Sequence, residues 1–174
     1  MQRPFGVYVH FPWCTHRCPY CDFAVTTAPQ PGGRRYARAI LAELGLRAPA
    51  FAGLAPASLY LGGGTPSLWD VDEVAEVIAA VAARFALPAG AEVTIEANPE
   101  SCGRDALRAW RAAGVNRVSL GVQSFDAGVL AKLGRRHDAA TAERALRLAA
   151  EELGNASVDL IYGARRSTTE TARA

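Results

Sequence analysis

Three cysteines lie within eight residues of one another near the start of the chain: Cys14, Cys18 and Cys21, spaced C-x3-C-x2-C. Three thiolates can hold three corners of a cube of four irons and four sulfurs. A cube held wholly by protein needs a fourth ligand, so this spacing leaves one iron open to a substrate or cofactor. Aromatic residues interleave with the thiols: Trp13 before the first, Tyr20 and Phe23 around the last. Rings in those places are expected to shield a cluster from water and tune its potential. The competing chemistry is a structural zinc site completed by His10 or His16. Zinc ligands usually come as two separated pairs, and no second Cys/His pair follows. A disulfide framework is weaker still, because the fourth cysteine, Cys102, stands alone between Ser101 and Gly103 and reads as an incidental thiol.

The elements that must position these residues read as repeated strand-then-helix units. Apolar runs rich in β-branched residues cover Gly6 to Phe11, Ser58 to Leu61, Glu92 to Glu96, Arg117 to Gly121 and Ser157 to Tyr162. The clearest helix runs from Val71 to Phe85, where Val71, Val74, Ile78, Val81 and Phe85 recur every three or four residues. Asp70 with Glu73 resembles a capping box at its start. Further helices are expected over Asp138 to Leu153, stopped by Gly154, over Arg104 to Ala113, stopped by Gly114, and over Arg34 to Leu46. Pro49 to Pro56 reads as a loop. Five strands alternating with helices predict an α/β fold with a parallel sheet, either doubly wound or curled into a barrel.

The places of the polar motifs bear on that choice. The cysteines follow the first strand. Gly62-Gly63-Gly64-Thr65-Pro66-Ser67 follows the second, and Glu96-Ala97-Asn98-Pro99-Glu100 ends the third. Gln123-Ser124-Phe125 follows the fourth, and Asp159 and Tyr162 lie at the fifth. Special residues gathered at the C-terminal ends of strands are where βα-barrels build their sites. The glycine run would let backbone groups approach a ligand closely. Glu96 could accept hydrogen bonds from ribose hydroxyls or an ammonium. Asp159 interrupts an apolar strand and, if buried, needs a partner. Arg135 lies in Leu133-Gly134-Arg135-Arg136-His137, a basic cluster after a short helix. His137 is either a hydrogen-bonding residue of the rim or a haem ligand, and the first is favoured. Glu100 reads as a structural charge at a helix N-terminus.

These motifs together resemble the radical S-adenosylmethionine (SAM) proteins. Tyr8-x-His10-x-Pro12-x-Cys14, with GGGTP-S, IEANPE and GVQSF, narrows the resemblance to the oxygen-independent coproporphyrinogen III dehydrogenase family and its haem-chaperone branch. The resemblance implies an incomplete (β/α)6 barrel of the TIM type. It implies a [4Fe-4S] cluster on Cys14, Cys18 and Cys21. It also implies SAM contacts from Tyr8, Tyr20, Gly63, Gly64, Thr65, Glu96, Gln123, Arg135 and Asp159. SAM would chelate the open iron and be cleaved reductively to methionine and a 5′-deoxyadenosyl radical. The family's dehydrogenases carry a fourth cysteine two residues after the triad, where this chain has Phe23. The Cys21-Asp22-Phe23 form resembles the haem-chaperone branch, whose members bind haem and pass it to target proteins. Haem or a porphyrin is therefore the expected ligand and a haem-accepting protein the expected partner. Coproporphyrinogen oxidation and an inert metal-binding module are the alternatives.

The likeness runs from Val7 to Gly163, and family members continue for about as many residues again. The expectation is a radical SAM core over 1–163 that stops after the fifth strand, a divergent disordered tail over 164–174, and no C-terminal domain, as a frameshift or fragment would produce. At 174 residues, half of them hydrophobic, the chain has enough apolar side chains for one core. A net charge of +2 gives no argument for nucleic acid or membrane. No apolar run approaches the ~20 residues that span a bilayer. Reduced thiols without a targeting segment fit the cytoplasm.

Overall fold

A computed structural model describes residues 5–28, 33–54 and 56–164. Most of the expected tail, 164–174, lies outside them. The elements run β1 (Phe5–Phe11), α1 (Gly33–Arg47), β2 (Pro56–Gly63), α2 (Val71–Phe85), β3 (Glu92–Ala97), α3 (Arg104–Ala112), β4 (Arg117–Gln123), α4 (Ala127–Lys132), α5 (Ala139–Leu153) and β5 (Ala156–Leu160). Short 3₁₀ turns at Ala48–Phe51, Pro66–Leu68 and Pro99–Ser101 complete it. The first of these occupies the start of the expected loop, and β2 begins at Pro56.

All five strands pair in parallel, in the order β1-β2-β3-β4-β5. A doubly wound sheet reverses its order at a switch point. Here the order never reverses, so right-handed crossovers place every helix on the same face. This is the winding of a barrel wall, as the family resemblance implies.

The two faces of that wall differ completely. One carries Val9, Phe11, Leu59, Leu61, Val93, Ile95, Val118, Leu120 and Val122, all buried beneath the helices with Val74, Val77, Val81, Leu107 and Ala145. The other is polar from edge to edge. Tyr8, Tyr60, Thr94 and Arg117 lie side by side in register, and Glu96, Ser119 and Ser157 form the next row. Buried parallel strands are ordinarily apolar on both faces. The alternation seen here marks the inner face as a lining instead of a core. Arg117 organises its lower end, donating from Nη1 to Thr94 Oγ1 (3.2 Å) and from Nη2 to Ser157 Oγ (2.7 Å), with Nε 3.7 Å from Glu92 Oε2.

α2 begins as its sequence indicates, with Asp70 accepting from the amides of Asp72 and Glu73. The reciprocal half of the box does not form. The Glu73 carboxylate is buried and accepts from Trp69 Nε1 instead (2.7 Å), because the indole needs a partner where it packs.

Helices α3 and α5 are joined by Glu152, which is largely covered and takes Arg104 on one oxygen and Arg108 Nε on the other (3.1 Å). The Arg108 contact is the main influence holding its pKa down, with burial opposing and Arg104 assisting. A carboxylate lowered on folding adds stability above its unfolded value near 4.3. That stability disappears as pH falls through the folded value. Glu152→Gln should therefore lower the urea midpoint at pH 7, and the deficit should shrink at about pH 3. A deficit independent of pH would show that shape, not charge, is what Glu152 supplies.

Candidate functional site

The C-terminal ends of the strands surround a cavity of about 470 Å³. That is the size of a small-molecule site. Cys14, Cys18 and Cys21 all line it, each a free, partly exposed thiol. Thr65 Oγ1 donates to Cys14 Sγ (3.4 Å), and Arg135 Nη1 donates to Cys18 Sγ (3.7 Å). Burial raises the Cys14 pKa, with the Thr65 hydrogen bond working against it and the two neighbouring thiols adding to it.

The stem of the cysteine loop is fixed to β1 and to the glycine run. Cys14 N donates to Thr26 O, and Thr26 N to Pro12 O. Gly64 N donates to Phe11 O (2.7 Å), Thr65 N to Trp13 O (2.8 Å), and Gly63 N to Glu96 Oε2 (2.9 Å). The amides of Gly63, Gly64 and Thr65 are thus committed to protein acceptors, not held free for a ligand. The glycines answer a packing demand. A Cβ on Gly64 would stand 2.7 Å from Trp13 O, and one on Gly63 would stand 2.5 Å from His10 Nδ1. Gly63 also has φ +119°, which side chains rarely adopt.

Glu96 is held by β2 at both oxygens, the second partner being Tyr60, whose hydroxyl donates to Oε1 (2.8 Å). Burial, followed by that carboxylate, raises the Tyr60 pKa. Gln123 lines the cavity with φ +71°, a strained value for a residue with a side chain. Such a residue costs about 1–3 kcal/mol and persists only where its surroundings enforce it. Here the β4–β5 register shifts between Gly121 and Gln123, and Ile161 N donates to Gln123 O. Arg135 Nη2 donates to Asn98 Oδ1 and to Gly121 O, each at 2.6 Å, while its buried Nε has no protein partner. Tyr20 lines the same cavity, its pKa pushed up to about 12, chiefly by burial.

The remaining residues take varied places, not all of them those expected. Asp159 is exposed on β5, not buried, although it accepts from Ser119 Oγ (3.0 Å) and lines the cavity. Tyr8 lies outside the cavity lining, more than half exposed and stacked on Tyr60 at 6.1 Å. Trp13 does not shield the thiols. It turns into the core against Tyr36 (4.7 Å) and Phe11 (5.2 Å), anchoring the loop by its stem. Tyr20 and Phe23 do face the cavity. His137 is buried, donating from Nε2 to Val122 O (3.1 Å), with Nδ1 3.5 Å from Glu100. It is an internal positioning group. Burial works to raise the Glu100 pKa, but the His137 imidazole 3.5 Å away, its own backbone and Arg135 outweigh it and lower it. Cys102 is buried, its thiol pushed up to about 12 by that burial and then by Glu100.

The donor set fits a cluster better than a single ion. Both nitrogens of His10 are occupied, Nδ1 by Tyr8 (3.0 Å) and Nε2 by Ala24 O (2.9 Å). Among the described residues, no three His, Cys, Asp or Glu side chains are placed to hold one metal ion. A cube gives each thiolate its own iron, so three sulfurs around one cavity suit it without converging. Sequence reading missed Tyr60, Asn98 and Ser119. Their signal was the polar residue at every second position of strands that should be apolar.

Comparisons with known proteins agree with this geometry. The Radical SAM superfamily profile matches residues 8–173. The heme chaperone HemW of Mycobacterium tuberculosis is 44% identical over 165 residues, covering 92% of this chain and 42% of the relative. HemW of Escherichia coli is 37% identical, covering 97% and 45%. The structure of coproporphyrinogen III oxidase (HemN) from Escherichia coli, described as a radical SAM enzyme, superposes with a TM-score of 0.87 at 33% identity, covering 99% of this chain and 40% of that one. The chain therefore spans less than half the length of these relatives. No helix among the described residues is long and apolar enough to cross a membrane. With its winding, its cysteine spacing and a profile match over nearly its whole length, the chain belongs to the radical SAM superfamily.

Proposed function

We propose that Cys14, Cys18 and Cys21 hold a [4Fe-4S] cluster and that SAM occupies the adjoining cavity. The chain would then be the radical SAM part of a protein that binds haem and hands it to a target. The observation that carries the first half is that the three thiols open into the same cavity as Glu96, Gln123, Arg135 and Asp159. When bound, the cluster and SAM together supply one-electron cleavage of a sulfonium, chemistry that belongs to the cofactors. The protein's part is placement. Glu96, locked by Tyr60 and Gly63, presents a fixed carboxylate to an ammonium or a ribose. Gln123 and the exposed Asp159 line the cavity where the rest of the ligand would lie. Gly63, Gly64 and Thr65 line the cavity with Cys14, Tyr20 lines it too, and Tyr8 stacks on Tyr60.

The haem assignment is supported by Phe23 in place of a fourth cysteine and by relatives named heme chaperones. Porphyrinogen oxidation is the rival, favoured by the close fold match to the oxidase. The two separate under anaerobic, reducing conditions with SAM present. Our reading expects haem to bind with a shifted Soret band and coproporphyrinogen III to remain unchanged. Decarboxylated porphyrinogen without haem uptake would reverse the assignment.

A further inference from the structure

We propose that the turn Leu133-Gly134-Arg135, 117 residues away in sequence, is the seat that orders the outer half of the cysteine loop before any cluster is present. The proposal rests on the cluster reading above only for its purpose, because its evidence lies in contacts made by the protein alone.

The two halves of the loop are held by different parts of the fold. The stem and Cys14 are fixed by β1 and the glycine run, as described. Cys18 lies beyond their reach and is met by the turn after α4. Three contacts converge there. His16 Nε2 donates to Gly134 O at 3.0 Å, which leaves Nδ1 to accept from Thr15 Oγ1 (3.3 Å). Pro19 packs on Gly134 so closely that a Cβ at that glycine would stand 2.8 Å from Pro19 Cδ. Gly134 also has φ +66°, which disfavours any side chain independently of the contact. Arg135 Nη1 reaches Cys18 Sγ.

The seat is itself anchored. Arg135 N donates to Leu130 O (2.9 Å) and Leu133 N to Val129 O (2.9 Å), which ties the turn to the end of α4. The Arg135 guanidinium is gripped by Asn98 Oδ1 from beyond β3 and by Gly121 O of β4. Its remaining face is thus aimed, not free to swing. Arg135 is in this sense a positioning residue for Cys18, and Asn98 positions Arg135. A cluster needs three thiolates in one place at once. Fixing Cys18 through β3, β4 and α4, and Cys14 through β1 and β2, brings the two together without help from the metal.

Amide hydrogen exchange on the metal-free chain tests this, with α2 as an internal control. Gly134→Ala should speed exchange within residues 15–22, read at the Cys21 amide that donates to Cys18 O (3.0 Å), by about tenfold or more, the equivalent of losing ~1.4 kcal/mol of local order, while 71–85 stays unchanged. His16→Ala, which leaves the backbone of the turn intact, should do the same to a lesser degree. For Arg135, Arg135→Gln should shift the electron paramagnetic resonance g-values of the reconstituted, reduced cluster at unchanged iron content. Unchanged exchange at 15–22 in His16→Ala overturns the seat, whatever Gly134→Ala does to folding. Unchanged g-values in Arg135→Gln overturn the positioning of Cys18. Faster local exchange in His16→Ala, together with a wild-type chain that takes up no iron on reconstitution, would sustain the seat and sink the cluster assignment, so the two failures are distinguishable.

Discussion

Replacing any one of Cys14, Cys18 or Cys21 by alanine should abolish retention of a four-iron cluster, whereas Cys102→Ala should leave iron content unchanged. Two thiolates leave two irons of the cube without protein ligands, and a cluster so held is lost to chelators or solvent. Cys102 is the natural control. It is buried and stands outside the lining of the cavity that the other three thiols share. Iron and sulfide per chain after anaerobic reconstitution and desalting would measure the effect. Full occupancy in Cys18→Ala, or loss in Cys102→Ala, would place the cluster elsewhere.

The second large effect lies in the core. Phe11→Ala should destabilise the chain by about 3–5 kcal/mol, the cost of emptying a fully buried aromatic site. Phe11 is 0% exposed and stacks on Trp69 at 5.0 Å, with Trp13 and Tyr36 at its other edges. Its carbonyl accepts from Gly64. The same residue thus holds the sheet to α2, seats Trp13 at the foot of the cysteine loop, and spaces the glycine run. Loss of stability should come with faster alkylation of Cys14 in the folded protein, read by mass spectrometry under native conditions. A loss below about 1 kcal/mol would mean that the ring cluster repacks and that the loop does not depend on it.

Local signals in the chain are read well from sequence, because local physics produces them. The helix expected over Val71 to Phe85 occupies those residues, since its apolar period and the Asp70 cap are both contained within it. The parallel order and the gathering of motifs at strand ends follow from strand-helix alternation. What sequence alone does not reveal is which partner each polar group takes. Glu73 is positioned to close a capping box, yet a tryptophan four residues back takes its carboxylate. The amides of the glycine run look free for a ligand until β1 and Glu96 are placed beside them. Asp159 reads as buried because its neighbours are apolar, but β5 pairs with β4 alone among the described strands and leaves it open. Arg135 and Asn98, 37 residues apart, are joined only by the winding of the sheet.

The central claim is that the three thiols build a cluster with one iron open to the cavity. Electron paramagnetic resonance of the anaerobically reconstituted, reduced chain, recorded with and without SAM, tests it most directly. The account predicts a four-iron signal whose g-values shift when SAM is added. A four-iron signal indifferent to SAM, or no cluster signal at all, would contradict it.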